Sequence, residues 1–175
     1  MTKLFTYTGG LWLAWVLISV MFGDGLHGNQ SQYALDVGNL STGDVKIYQT
    51  GGRAVIVVHR SDTMLECLQS NTAFLYDASP HLPHDPGKAE LIVIFAHEPE
   101  LGCPVEFVPA DGLYESKYPL PDGAVWCGGF RDGCRGSLFD LSGRVYRNQG
   151  GQRNLITAPY HMQGNSVFIS IQSVK

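Results

Sequence analysis

Short apolar runs separated by glycine- and proline-rich turns account for most of the sequence. The residues 53–59 and 91–95 are rich in β-branched side chains, and the chain holds 21 Gly and 9 Pro. Runs of this kind between turn residues predict β-strands, and only residues 61–69 fit a short capped helix. We therefore predict an all-β domain, a small sandwich or barrel. The predicted strands are residues 33–37, 45–48, 53–59, 91–95, 105–108, 145–146, 155–158 and 167–171.

Composition limits the class of function. The chain has 175 residues, a formal net charge of -4 and only 16% charged residues. A nucleic-acid-binding domain would show a basic face or stripe, so we expect no nucleic-acid partner. The sequence also lacks a recognisable pairing of nucleophile and base. We therefore predict no enzymatic activity, no catalytic residue and no small-molecule substrate.

The N-terminal segment is predicted to anchor the chain in a membrane. Residues 4–23 carry no charged side chain, Lys3 precedes them and Asp24 follows them. These 20 residues match the length of a spanning helix, and the preceding positive charge favours a cytoplasmic N-terminus. We expect a single-pass protein of the inner (cytoplasmic) membrane, with its C-terminal domain in the periplasm or outside. The alternative is a cleaved signal peptide, because the densest apolar stretch covers only residues 11–22.

The chain is expected to divide into an anchor, a polar linker and one β domain. Within the β domain, residues 77–87 contain three prolines, which remove backbone donors and predict an irregular surface loop. The expected boundaries are residues 1–25 for the anchor, 26–32 for the linker and 33–175 for the β domain.

Four cysteines, Cys67, Cys103, Cys127 and Cys134, constrain the domain further. Disulfides form and persist outside the cytoplasm, and four cysteines allow three full pairings. A structural zinc site would need closely spaced Cys and His ligands, but the sequence has no C-x-x-C and no His within four residues of a Cys. We therefore expect disulfides rather than a metal site.

Residues 129–146, Gly-Phe-Arg-Asp-Gly-Cys-Arg-Gly-Ser-Leu-Phe-Asp-Leu-Ser-Gly-Arg-Val-Tyr, resemble the second cluster-binding loop of Rieske iron–sulfur proteins. The family pattern there is C-P-C-H-G-S, then an aromatic residue, then D-x-S-G-R-V. Residues 101–104, Leu-Gly-Cys-Pro, resemble the end of the first loop, C-T-H-L-G-C. Weaker similarity extends the resemblance over residues 33–172. The matching second-loop residues are Gly136, Ser137, Phe139, Asp140, Ser142, Gly143 and Arg144.

The resemblance implies a fold and a disulfide. The implied fold is a Rieske-like small antiparallel β-sandwich or barrel with two loop-bearing hairpins, preceded by one N-terminal transmembrane helix. A single anchor before such a domain fits the Rieske subunit of cytochrome bc complexes. The family's loop-stapling disulfide corresponds to Cys103 and Cys134. Cys67 and Cys127 are left over, and either form a second bond or remain buried free thiols.

The resemblance breaks at the four ligand positions. Matched residue by residue, the two ligand positions of the first loop are Glu98 and Glu100, and those of the second loop are Asp132 and Arg135. A Rieske [2Fe–2S] centre uses two thiolates and two imidazoles, whereas carboxylates are hard ligands and a guanidinium only donates hydrogen bonds. We therefore predict that the cluster is lost and that no cofactor is bound. Recruiting His97 or Cys127 instead would supply at most one imidazole and would break the disulfide.

The vacated positions carry both acids and a base, which predicts an ion-pair network between the loops. One alternative is that these side chains are simply solvated. Another is a hard divalent cation held by Glu98, Glu100 and Asp132, which Arg135 would oppose.

Two functions are compatible with these features. The first is a structural, binding or assembly subunit of a larger envelope membrane complex, either respiratory or of a secretion, conjugation or pilus type. The second is an electron-transfer subunit of a quinol–cytochrome c reductase with atypical ligands. Residues 115–123, within a stretch longer than the family motif usually has, look like an insertion that offers a contact surface.

Overall fold

The computed structural model describes residues 30–78, 90–112 and 116–172. Internal contacts divide the chain into two compact units, one of residues 33–170 and one of residues 1–32 with 171–175. The predicted anchor, most of the predicted linker and most of the proline-rich loop lie outside the described residues. Within the described ranges, no helix has the length and hydropathy needed to cross a membrane.

The described part of the chain is mostly β, with one short α-helix. The strands are β1 (Gln30–Asp36), β2 (Val45–Thr50), β3 (Arg53–His59), β4 (Leu91–Phe95), β5 (Val105–Val108), β6 (Gly129–Asp132), β7 (Leu138–Asp140), β8 (Tyr160–Gln163) and β9 (Ser166–Gln172). The helix α1 spans Asp62–Ser70, and a 3-10 turn follows at Thr72–Phe74.

The strands form three sheets of three strands each, in the orders β1-β9-β8, β2-β3-β4 and β5-β6-β7. Neighbours in the second and third sheets are antiparallel, with Ile56 opposite Ile94 and Phe130 opposite Phe139. Side chains from both sheets meet in one apolar core. It includes Ile56, Val58, Ile92, Ile94, Val105, Phe130, Phe139, Leu141 and Val145.

Helix α1 begins where the sequence predicts a cap. Ser61 accepts a hydrogen bond from the backbone N–H of Met64 through its side chain, which satisfies one orphan donor of the first turn. Leu68 is buried in the core shared by the two sheets, so the helix lies against that core. The helix spans residues 62–70, one residue later at each end than predicted.

The predicted and observed strands agree for the strongest apolar runs and differ elsewhere. β3, β4 and β5 have the predicted bounds, whereas β1 begins at Gln30, inside the predicted linker. Residues 145–146 and 155–158 were expected to be strands, but they make only isolated bridges. Only part of their backbone bonds to strands: Tyr146 N–H donates to Leu138 and Ala158 N–H to Val93. Val145 N–H donates instead to Asn154 Oδ1, and Leu155 N–H donates to the carbonyl of Gly143. The strands β6, β7 and β8 were not predicted.

Candidate functional site

Two loops meet at one end of the β5-β6-β7 sheet. The first, residues 96–104, connects β4 to β5, and the second, residues 133–137, connects β6 to β7. The first loop closes on itself, because Glu98 N–H donates to the carbonyl of Cys103 and Gly102 N–H donates to that of Glu98. Gly102 has a φ of 71°, a left-handed conformation that favours glycine.

A disulfide joins the two loops. Cys103 and Cys134 are bonded with a Cα–Cα distance of 5.8 Å, the pairing that the family resemblance implied. Beside it, the N–H of Gly133 donates to the carbonyl of Pro104 at 2.8 Å. The loops are therefore held together both covalently and through their backbones.

Glu98 is the most deeply buried acid of the first loop, with no exposed surface. Its Oε1 accepts from the N–H of Glu100 at 2.8 Å and from Arg135 Nη2 at 2.9 Å. Its Oε2 accepts from the N–H of Leu101 at 2.8 Å. A buried carboxylate is costly unless it is paired and hydrogen-bonded, and here both oxygens are satisfied.

Glu100 forms a second ion pair with the same guanidinium, that of Arg135. Its Oε2 lies 2.8 Å from Arg135 Nη1, and its Oε1 accepts from the N–H of Gln152 at 2.8 Å. The Gln152 N–H, followed by the Arg135 guanidinium, lowers the pKa of Glu100 from its ordinary value. The group is therefore held in its charged form.

Arg135 crosses from the second loop to the first. Its guanidinium contacts Glu98 through Nη2 and Glu100 through Nη1, and Nη1 also donates to the carbonyl of Gly150 at 2.9 Å. The hydrogen bond to Glu100, together with the charges of the neighbouring acids, raises the pKa of Arg135. The predicted ion-pair network is therefore present in the structure for Glu98, Glu100 and Arg135.

Asp132 serves the second loop itself. It is fully buried, its Oδ1 accepts from the N–H groups of Cys134 and Arg135, and its Oδ2 accepts from that of Ser137. Burial alone would raise the pKa of Asp132, but the hydrogen bonds from Arg135, Ser137 and Cys134 together lower it. Asp132 thus shapes the turn that presents Arg135.

The three acids that form the alternative cation site, Glu98, Glu100 and Asp132, have other partners. Their oxygens are directed at backbone N–H groups and at the guanidinium of Arg135. Over the described residues, no group of three or more His, Cys, Asp or Glu side chains is arranged to hold a metal ion.

The remaining second-loop residues form a buried turn. Asp140 pairs with Arg144, whose Nε donates to Asp140 Oδ2 at 2.7 Å. The Oδ1 atom of Asp140 accepts from the backbone N–H groups of Ser142 and Arg144. Gly136 and Gly143 have φ values of 78° and 76°. Phe139 is in the core, while Ser137 Oγ accepts from the N–H of Gly151 at 3.0 Å. These residues position backbone rather than presenting reactive groups.

The leftover cysteines are bonded to each other. Cys67 of α1 and Cys127, just before β6, form the second disulfide, with a Cα–Cα distance of 6.0 Å. Asn71, which the sequence analysis missed, lies beside it: its side chain donates to the carbonyl and accepts from the N–H of Val125. Its only sequence signal is its place directly after the helix.

Apolar surface is exposed near the loops. Leu101, in the first loop, is 64% exposed. A cleft of about 440 Å³ lies beside that loop. Its lining combines Pro99, Leu155 and Ile156 with the polar residues Asp77, Gln152, Arg153, Asn154 and Thr157.

The side chains of Glu98, Glu100, Asp132 and Arg135, which the resemblance matches to cluster ligands, do not fit a Rieske cluster. They comprise three carboxylates and one guanidinium, without a thiolate or an imidazole. Arg135 is held as a cation between Glu98 and Glu100, so it has no lone pair to offer a metal. Its positive charge there also opposes a cation bound by the same two acids.

No family model matches the sequence. Two curated relatives are each called "Ubiquinol-cytochrome c reductase iron-sulfur subunit". The one from Allochromatium vinosum is 34% identical over 145 residues, covering 78% of this chain and 67% of the relative. The one from Blastochloris viridis is 28% identical over 134 residues, covering 75% and 66%. Among solved structures, a chain of "Hyperthermophilic respiratory Complex III" aligns over 92% of both chains with 15% identity and a TM-score of 0.45.

Proposed function

Because the chain belongs to the family of ubiquinol–cytochrome c reductase iron–sulfur subunits, the Rieske proteins, we propose that it is a subunit of a membrane complex that has lost the [2Fe–2S] cluster. In this proposal it serves a structural, binding or assembly role and carries out no catalysis. The complex is respiratory, as the names of the relatives indicate, or another envelope assembly of the secretion, conjugation or pilus type.

One observation carries the proposal: the guanidinium of Arg135 bridges the carboxylates of Glu98 and Glu100. The resemblance matches these three residues to iron-ligand positions of the family. In a Rieske protein, metal coordination ties one loop to the other. Here a cation from the second loop pairs with two anions of the first, beside the disulfide between Cys103 and Cys134. The loops are thereby joined without metal.

The architecture of the whole chain is part of the same proposal. We assign residues 1–25 to a membrane anchor that spans at residues 4–23, residues 26–32 to a linker, and residues 33–175 to the Rieske-like β domain with its two loop-bearing hairpins. The domain would lie on the periplasmic or outer side of the inner membrane. Two disulfides support this location, because such bonds persist in oxidising compartments.

A binding role is supported by the exposed surface at the loops. Leu101 projects from the first loop, and the cleft lined by Pro99 and Ile156 lies beside that loop. The charges of Glu98 and Arg135 next to it are already paired, so covering this end with another subunit would leave little unpaired charge. Pull-down from detergent-solubilised membranes, followed by identification of the bound subunits, would name the complex.

Iron analysis tests the loss of the cluster. The full chain is purified in detergent, and its iron, acid-labile sulfide and visible absorption are measured beside those of a variant with all four ligands restored: Glu98→Cys, Glu100→His, Asp132→Cys and Arg135→His. We expect no iron in the native chain and uptake of iron and sulfide by the restored variant. About two irons per native chain, with a visible band, would instead establish the alternative, an electron-transfer subunit with atypical ligands.

A further inference from the structure

The strand that leads into the second loop is held by a disulfide beyond each end. Cys127 lies two residues before the first residue of β6, and Cys134 lies two residues after its last. The first bond ties the strand to α1, and the second ties it to the first loop. A four-residue strand is thus fixed at both ends, which sets the starting point of the turn that presents Arg135.

Residues 116–127, here called the brace, lie directly against that turn. Ser116 Oγ is 2.6 Å from the carbonyl of Gly136, the residue after Arg135. The same hydroxyl accepts from the N–H of Tyr118 and lies 2.7 Å from the carbonyl of Tyr118, so its one proton is shared between the carbonyls of Gly136 and Tyr118. These contacts fix the position of the hydroxyl. A Cβ on Gly136 would be 3.6 Å from the backbone nitrogen of Lys117, so the brace is in close contact with the turn.

The brace also contacts the backbone at Gly150, which accepts a hydrogen bond from Arg135. The Tyr118 ring packs on Gly150, where a Cβ would come within 2.7 Å of the ring. The carbonyl of Gly150 accepts from Arg135 Nη1. In addition, Gln149 donates to the carbonyl of Pro119 and accepts from the N–H of Leu138 at the start of β7. The brace therefore supports both the guanidinium's own turn and one of its acceptors.

The far end of the brace is fixed by covalent and polar contacts. Cys127 is bonded to Cys67, and the buried side chain of Asn71 makes two hydrogen bonds to the backbone of Val125. Trp126 and Leu120 pack against a small apolar cluster that includes Leu138 and Tyr146. The brace is held independently of the Glu98–Arg135 contact that it supports.

We propose that the brace is a positioning device: anchored by the Cys67–Cys127 disulfide and Asn71, it holds Arg135 through Ser116 and Tyr118 so that the guanidinium bridges Glu98 and Glu100. The inference rests on the proposed function, in which this bridge joins the loops where a cluster would. It assigns positioning roles to Ser116, Tyr118 and Asn71. It also gives a structural role to residues 116–123, which the sequence analysis interprets as part of an insertion.

Hydrogen exchange tests the device. In the full chain in detergent, amide exchange of residues 133–137 is compared with that of residues 53–59 for the native protein and for Ser116→Ala. Losing one hydrogen bond is expected to speed exchange of residues 133–137 by about fivefold, with residues 53–59 unchanged. Thr50→Val is the matched control, because it removes a hydroxyl-to-carbonyl bond, 3.0 Å long, in the β2–β3 hairpin. Equal acceleration of both segments, or of neither, overturns the proposal.

The pKa of Glu100 distinguishes a brace that positions Arg135 from one that only stabilises the fold. If Ser116→Ala displaces Arg135, the pKa of Glu100 rises towards its ordinary value, as read from its carboxyl resonance by NMR. The Cys67→Ser/Cys127→Ser variant is expected to show the same rise, and Thr50→Val is expected to show none. An unmoved pKa of Glu100 in both brace variants overturns the positioning role. Iron found in the native chain would defeat the proposed function but would leave these two readouts standing.

Discussion

The β2-β3-β4 sheet and the loop end of the β5-β6-β7 sheet are held together by different chemistry. In the first, Val55, Ile56, Val57 and Val58 are fully buried and stand opposite the apolar strand β4. At the loop end, a disulfide, a guanidinium, carboxylates and backbone N–H groups make the contacts. The apolar sheet is therefore stabilised by burial of side chains, whereas the loop end depends on a covalent bond and on paired charges.

The largest effect should come from the disulfide at the loop end. Replacing Cys103 and Cys134 with Ser opens a loop of 31 residues, and chain entropy predicts a loss of about 3–4 kcal/mol of unfolding free energy. The comparison variant in the apolar sheet is Ile94→Val, which is expected to lose about 0.5–1.5 kcal/mol. Both are measured by urea unfolding of the full chain in detergent. If the double Cys→Ser variant loses no more unfolding free energy than Ile94→Val, the two regions do not differ as described.

The ion-pair network should give the next largest effect. Arg135→Met leaves the buried Glu98 without its cation, at a cost of about 3 kcal/mol. Adding Glu98→Gln should recover part of that loss, because the uncompensated charge is then removed. Unfolding free energies of the two single variants and the double variant give the coupling. Strictly additive costs would mean that Glu98 and Arg135 do not act together.

Acid should weaken the loop end and not the apolar sheet. The pKa values of Glu100 and Asp132 are lower in the folded chain than their ordinary values of 4.5 and 3.8. Their stabilising contribution is therefore complete above those values and is lost as pH falls through the lowered folded values. We expect the unfolding free energy to decline below about pH 4.5, with a smaller slope in Glu100→Gln and an unchanged slope in Ile94→Val. If Glu100→Gln leaves the slope of unfolding free energy against pH unchanged, Glu100 does not contribute to the acid sensitivity.

The smallest effect is expected at an exposed ion pair between strands β5 and β6. Arg131 and Glu106 lie 2.7 Å apart, but their side chains are 26% and 61% exposed. Glu106→Gln should therefore change the unfolding free energy by about 0–1 kcal/mol, and added salt should reduce the difference. A loss as large as that of Arg135→Met would show that burial is not what separates the two ion pairs.

The sequence predicts the apolar part of the fold well. β3, β4 and β5 have the predicted bounds because each is a run of β-branched or aromatic residues between turn signals. β6 and β7 were missed as strands because Gly-Phe-Arg-Asp and Leu-Phe-Asp are too short and too polar for their pattern to indicate pairing. Residues 155–158 look like a strand, yet their backbone bonds only in part to β4.

At the site, the resemblance supplied the residues but not their partners. It located Glu98, Glu100, Asp132 and Arg135 and implied the bond between Cys103 and Cys134. Spacing could not distinguish a bond between Cys67 and Cys127 from two free thiols, because those residues are 60 positions apart and meet only after α1 packs. The carbonyl of Gly150 and the N–H of Gln152 are backbone groups, which leave no signal in the side-chain sequence.

Anomalous diffraction at the iron edge, from crystals of the anaerobically purified full chain, tests the central claim most directly. The account predicts no iron peak between the loops and continuous density for the Arg135 guanidinium against both Glu98 and Glu100. Two iron peaks between residues 98–103 and 132–137, with Arg135 turned away, would contradict it.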